Sequence, residues 1–273
     1  MLASDYFIQF SQRLSGHPKE EHQAIFKELL HFHKVHSNGY WPDLTLENKI
    51  IAEIEKQLIA LNTQKPLQYV LGLAPFYNVD IKVNEHTLIP RSETEELVHL
   101  ILEENKGSAL NVLDIGTGSG CIPLILLKNR PQWNALGLDI DAKAIKIAQL
   151  NARQLKISSR LTFKKVDVLK ENFDLKDINI LVSNPPYIDE SEKATMSKTV
   201  LNFEPEKALF TLTGDPLIFY KRIAREMELQ NFKGKAYFEI NPIYDEQMLD
   251  TFKSFSPTLS KDMQQKNRFL HIS

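Results

Sequence analysis

Apolar positions change their spacing along this chain. Up to about residue 60 they recur at three- and four-residue steps. Ile50, Ile51, Ile54, Leu58 and Leu61 form one such stripe, with Glu47, Glu53, Glu55 and Lys56 between them. That is one face of an amphipathic helix. Phe26, Leu29, Leu30 and His33 suggest another. Such helices are too few and too short to bury a large core alone, so residues 1–73 are expected to form a small helical bundle attached to something larger. From Phe76 the period falls to two: Val79, Ile81 and Val83 alternate with Asp80 and Lys82, as in a half-buried strand. Asn84-Glu85-His86 then offers a turn before Thr87-Leu88-Ile89, which predicts a β-hairpin linker within residues 74–90. Ser92 or Thr94 can cap a following helix that carries Leu97, Val98, Ile101 and Leu102.

Beyond Gly107 the pattern alternates. Strands are expected over 110–115, 135–139, 161–166, 178–183 and 235–240, and helices over 122–128, 142–155, 216–229 and 243–255. Thr258–Leu259 and Arg268–Ile272, around a polar turn, predict an edge hairpin. Strands alternating with helices give right-handed crossovers and a mostly parallel sheet covered on both faces. Residues 91–273 are therefore an α/β domain.

Composition narrows the classes. The chain has 273 residues, 42% hydrophobic and 25% charged, with a net charge of −2. This is ordinary for a globular protein and unlike a disordered one. It lacks the global basic footprint of a protein that grips a long nucleic acid through phosphates, so no direct nucleic-acid partner is expected. The single cysteine, Cys121, excludes an internal disulfide framework. The apolar run Cys121–Leu127 falls far short of the ~18 residues of a membrane span, and the N-terminus has Asp5 and no basic stretch, so the expected compartment is the cytoplasm. His22, His31, His33 and His36 lack the i, i+4 spacing of helical metal ligands, and no metal site is expected.

The first chemical signal is Asp114-Ile115-Gly116-Thr117-Gly118-Ser119-Gly120, after the first strand of the α/β domain. Three of the ten glycines in the chain fall within these five last positions. A strand-to-helix turn alone would account for some glycine, but ligands of open α/β sheets bind at the carboxyl ends of strands. The spacing misses the G-x-G-x-x-G of dinucleotide sites. Asp114, just before the loop, suits a cationic ligand better than a pyrophosphate, and Asp139, ending the second strand, can take both hydroxyls of a ribose. A nucleoside without phosphates but with a positive end fits S-adenosyl-L-methionine.

The second signal is Asn184-Pro185-Pro186-Tyr187, after the fourth strand. The prolines stop the strand and stiffen the loop. The Asn184 carboxamide oxygen and the Pro185 carbonyl are two acceptors held side by side, suited to a planar –NH2 group, and Tyr187 can supply a flat apolar wall.

These two motifs together resemble those of S-adenosylmethionine-dependent amino methyltransferases. The wider pattern selects within them. Leu67-Gln68-Tyr69-Val70-Leu71-Gly72, Leu88-Ile89-Pro90-Arg91-Ser92-Glu93-Thr94-Glu95, Glu204-Pro205, Ala208-Leu209 and Gly214-Asp215 resemble the HemK/PrmC family, from about Pro66 to the C-terminus. That resemblance implies a Rossmann-like methyltransferase domain with sheet order 3-2-1-4-5-7-6 and an antiparallel last strand, preceded by a small N-terminal helical domain that contacts the release factor. It implies methyl transfer from S-adenosyl-L-methionine, leaving S-adenosyl-L-homocysteine, to the glutamine of the Gly-Gly-Gln loop in peptide-chain release factors. Alternatives are a ribosomal-protein glutamine or DNA adenine. The implied catalytic residues are Asn184, Pro185 and Tyr187. Asp114, Gly116 to Gly120, Asp139, Asp167, Val168 and Asn184 are implied for the cofactor. Pro186, Arg91 and Glu93 join Asn184, Pro185 and Tyr187 for the substrate. The chain departs from the family at Ser92, where proline is usual, and at Val168, where an aromatic residue is frequent.

Overall fold

The computed structural model describes residues 1–35, 40–107, 109–211 and 214–273. His36 lies outside the described residues. The chain divides into two compact units, Met1–Leu73 with Lys198–Phe203, and Ala74–Ser197 with Glu204–Ser273.

The first unit contains α1 (Ala3–Arg13), α2 (His22–Phe32), α3 (Asn48–Leu61) and α4 (Leu67–Leu71). Its core sets Tyr6, Phe10 and Phe26 against Ile54, Leu58 and Leu61, so the predicted α3 stripe is the buried face. His22 is buried there, bonded to Ser11 Oγ at 2.9 Å and to the His17 carbonyl at 3.1 Å.

A hairpin opens the second unit, displaced from its expected position. Its strands are β1 (Leu73–Phe76) and β2 (Val79–Lys82). Tyr77 and Asn78 make the turn with φ of +50° and +59°. Left-handed backbone at both central residues matches the twist of the flanking strands. Pro75 concealed β1 in the sequence; a proline is tolerated in such a two-stranded ribbon. Residues 83–90 add no strand. The Asn84 carbonyl accepts from Thr87 N–H at 2.9 Å and its side chain from His86 N–H at 3.0 Å, closing a local turn instead.

After α5 (Ser92–Glu104) come β3 (Asn111–Ile115), α6 (Cys121–Asn129), β4 (Asn134–Asp139), α7 (Ala142–Gln154), β5 (Leu161–Lys165) and β6 (Ile180–Ser183). The short helices α8 (Lys198–Phe203) and α9 (Glu206–Leu209), which apolar periodicity did not reveal, precede α10 (Ile218–Leu229), β7 (Lys235–Glu239), α11 (Asp245–Thr251), β8 (Thr258–Lys261) and β9 (Asn267–Ile272). The sheet runs β5-β4-β3-β6-β7-β9-β8, parallel through β7, with β9 antiparallel to both neighbours. This is the expected order. β3, β6 and β7 are buried almost throughout, which is why they read as continuous apolar runs. Edge strand β5 is largely exposed after Leu161.

Register sets the site. Ile115 lies opposite Leu138 and Ser183, and Ser183 lies opposite Phe238. The residues that follow these partners, Gly116, Asp139, Asn184 and Glu239, therefore leave the sheet side by side at its carboxyl edge.

Candidate active site

The glycine loop is built by backbone geometry. Gly116, Gly118 and Gly120 have φ of +78°, +55° and +80°, a region that other residues enter only with strain. The amides of Gly116 and Thr117 both donate to the Leu138 carbonyl at 2.9 Å, and Gly120 N–H donates to the Thr117 carbonyl at 2.8 Å. Gly137 in β4 lies beneath the loop; a Cβ there would stand 2.7 Å from the Phe163 ring and 2.8 Å from Thr117 Oγ1. Buried Asn151 of α7 braces the arrangement, donating to the Ser119 carbonyl at 2.9 Å and exchanging two bonds with the Lys82 backbone.

Two acids flank the loop. Asp139 accepts from Gly118 N–H through Oδ2 and from Asp141 N–H through Oδ1, each at 2.8 Å. Burial raises its pKa above the usual carboxylate range despite those bonds. Asp114 is wholly buried, and among the described residues neither its carboxylate oxygens nor Thr117 Oγ1 makes a hydrogen bond of normal geometry, Thr117 being only a nearby dipole. Burial pushes the Asp114 carboxyl up to about 7, with the nearby Asp139 charge adding to the rise and Thr117 opposing it. A buried acid without a partner is unfavourable when ionised and calls for a positive group nearby.

The opposite wall is the proline-stiffened loop. Asn184 Nδ2 donates to Thr94 Oγ1 at 3.1 Å, and Thr94 Oγ1 donates to Glu239 Oε2 at 2.7 Å. Tyr187 donates its phenol to Glu239 Oε1 at 3.2 Å. Glu239 and Thr94 are buried. Burial raises the Glu239 pKa, the Thr94 and Tyr187 hydroxyls opposing the rise. Burial first, then the Glu239 charge, holds the Tyr187 phenol far above its ordinary value.

A cavity of about 750 Å³ lies between these walls, within the range of small-molecule sites. Gly116, Thr117, Gly118 and Ser119 line one side, Asp139, Asp167 and Val168 another, and Asn184, Pro185 and Pro186 a third. The remaining expected site residues are elsewhere. Asp114 and Gly120 are not on the cavity wall. Tyr187 packs against the core instead of walling the cavity, its hydroxyl committed to Glu239. Arg91 and Glu93 are also off the wall; Arg91 Nη2 pairs at 2.6 Å with Glu204 Oε1, whose side chain is buried. At Val168 the small apolar face is 8% exposed. Cys121 is buried against the same cavity, its thiol pushed by burial up to about 12, the setting of a packed thiol.

Two residues that sequence reasoning did not assign are central. Thr94 stood in the sequence as a possible helix cap and as part of a family motif without a role of its own; it lies inside α5, which has no side-chain cap. Glu239 carried one usable signal: an acid ending an apolar strand, Ala236-Tyr237-Phe238-Glu239, that pairs with the strand entering Asn184.

The methyltransferase small domain model matches residues 93–212. The chain is also similar to a release factor glutamine methyltransferase of Flavobacterium psychrophilum, at 37% identity over 286 aligned residues covering 100% of this chain and 99% of that protein. A release factor glutamine methyltransferase of Streptococcus pneumoniae is 41% identical over 250 residues, 88% of this chain and 85% of that one. Among solved structures, the hMettl16 catalytic domain in complex with a MAT2A 3′UTR hairpin matches with a TM-score of 0.58 over 84% of this chain and 83% of its own, at 16% identity, a likeness of fold. A glycine loop and an Asn-Pro-Pro loop facing one cavity, in a chain 37% identical to such a relative over its whole length, place this methyltransferase in the family of release factor glutamine methyltransferases.

Proposed function

We propose that this protein transfers a methyl group from S-adenosyl-L-methionine to the side-chain amide nitrogen of the glutamine in the Gly-Gly-Gln motif of peptide-chain release factors. The observation that carries the reading is the single cavity on which the glycine loop and Asp139 face Asn184 and Pro185. The residues fit the cofactor. Asp139 keeps lone pairs for a ribose after its two backbone bonds, and Val168 gives an apolar surface for a base. When bound, S-adenosyl-L-methionine supplies an electrophilic methyl on a cationic sulfonium.

The chain's own part is alignment. An amide nitrogen is a weak nucleophile because its lone pair is delocalised. Asn184 Oδ1 and the Pro185 carbonyl accept the two amide N–H bonds and turn the nitrogen toward the cofactor. Positioning of this kind contributes roughly 7–11 kcal/mol in favourable cases. The same acceptors hold the amide more strongly as its nitrogen gains positive charge, so they favour the transition state over the ground state. No dedicated base is needed beforehand.

Residues 1–73 are proposed to contact the release factor, Arg91 and Glu93 to border the substrate cleft, and Tyr187 to stiffen the loop. The reaction is proposed to take place in the cytoplasm without a nucleic-acid partner. No described helix is long and apolar enough to cross a membrane.

The reading is tested by transfer of labelled methyl from S-adenosyl-L-methionine to purified release factor, beside a glutamine-to-alanine release factor and DNA. Label on the intact release factor alone is expected; label on DNA alone would overturn it. Nuclease treatment should leave the rate unchanged, because phosphate-driven binding needs clustered Lys and Arg that a net charge of −2 does not suggest. Activity lost with nuclease and restored by added RNA would refute that part.

Asp139→Ala should weaken cofactor binding by about ten-fold or more, since charge-assisted bonds contribute about 1.5–3 kcal/mol. Titration calorimetry reads this directly. Unchanged affinity would remove Asp139 from the cofactor site.

A further inference from the structure

We infer that Glu239, acting through Thr94, is a positioning group that sets which end of the Asn184 carboxamide faces the substrate. The inference rests on the reading above, in which Asn184 Oδ1 accepts from the substrate amide.

A carboxamide presents an oxygen and an NH2 group of nearly equal shape, and only the oxygen can accept. Nothing in Asn184 itself fixes which one turns toward the cavity. The buried chain behind it does. Glu239 lies on β7, the strand paired with β6, and places one carboxylate oxygen before each of two hydroxyls, Thr94 at 2.7 Å and Tyr187 at 3.2 Å. A hydroxyl has one hydrogen. When Thr94 gives its hydrogen to Glu239, it offers Asn184 only lone pairs, so the contact at 3.1 Å must be made by Asn184 Nδ2. The Asn184 oxygen is then left for the cavity that Asn184 lines. Reversing the carboxamide would set its oxygen against the Thr94 oxygen with no hydrogen between them. Glu239 is buried, so its carboxylate relies on the two hydroxyls and holds the Thr94 hydrogen. Tyr187 satisfies the second Glu239 oxygen and ties the far end of the Asn-Pro-Pro-Tyr loop to the same carboxylate.

The experiment is steady-state and single-turnover methylation of release factor by Thr94→Val, Thr94→Ser, Asn184→Ala and the Asn184→Ala/Thr94→Val double variant. Valine matches the shape of threonine but neither donates nor accepts. Thr94→Val is expected to lower kcat about 10- to 100-fold, the scale of a misplaced reacting group. Its cofactor affinity by calorimetry should stay at the wild-type level, and Thr94→Ser should recover most of the rate. Because Thr94 acts through Asn184, the double variant should be no slower than Asn184→Ala alone. A purely structural role for Thr94 would instead multiply the two losses. If Thr94→Val does not fold, as judged by circular dichroism, Thr94→Ala carries the same comparison without adding atoms. Turnover by the folded variant within about two-fold of wild type would overturn the relay and leave the proposed function intact; multiplying losses would do the same. Wild-type enzyme that fails to modify release factor would overturn both.

Discussion

Asn184→Ala is expected to lower the rate of methyl transfer by roughly 10²–10³-fold, the loss seen when one preorganised partner of a developing charge is removed, about 2.7–4 kcal/mol. The side chain stands after the sheet, between β6 and two prolines, and among the described residues its hydrogen bond is to Thr94. Its removal leaves Thr94 still bonded to Glu239, so no buried group is orphaned and the fold should persist. The lost interaction is stronger with the cationic nitrogen of the transition state than with the neutral amide, so the loss should appear in the single-turnover rate at saturating cofactor. Asn184→Asp keeps an acceptor and should retain more activity than alanine. Near-normal turnover by the alanine variant would show that the loop is a structural turn and that the nitrogen is held elsewhere.

Asp114→Asn should make the cofactor-free protein more stable at neutral pH while weakening its preference for a cationic ligand. Burial pushes the carboxyl up to about 7 in the fold, against about 3.9 for an unperturbed aspartate. Between those values the unfolded chain has lost the proton and the folded one keeps it. Stability must therefore fall as pH rises through this window, with the full loss reached above pH 7. At about 1.36 kcal/mol per unit, the loss is on the order of 4 kcal/mol. Asparagine has the same shape and no charge to bury, so its contribution should not fall with pH. Urea unfolding at pH 5 and pH 8 checks this: the variant should gain on the wild type at pH 8 and much less at pH 5. Binding supplies the second readout. The wild type should favour S-adenosyl-L-methionine over neutral S-adenosyl-L-homocysteine more than the variant does. Equal pH dependence of the two proteins would show that Asp114 is not strained in the free enzyme.

The parallel sheet was legible because its central strands are buried on both faces and so are written as short apolar runs, as in Val112–Ile115 and Ile180–Ser183. The glycine loop was legible because its left-handed backbone needs glycine at 116, 118 and 120. The hairpin was misplaced because alternation shows that Val79–Lys82 is a strand but not which neighbour pairs with it, and Pro75 hid the true partner. The helices α8 and α9 escaped because six and four residues are too few to show a period. Tyr187 was expected on the cavity and lies instead against the core, because Glu239, 52 residues away, claims its hydroxyl.

The sequence by itself determined the fold class and the two loops, since these are set by local periodicity and by backbone conformations that few residues can adopt; the order of the strands was implied by the family that its motifs resemble. Tertiary structure alone decided the surroundings of those loops. The register of β6 and β7 brings Glu239 beside Asn184, helix α5 brings Thr94 between them, and packing buries Asp114 completely. Residues 90 and 145 positions apart meet in one hydrogen-bonded chain. No local signal encodes such a meeting, because hydrogen-bond partners and burial are properties of the packed molecule and not of any segment of it.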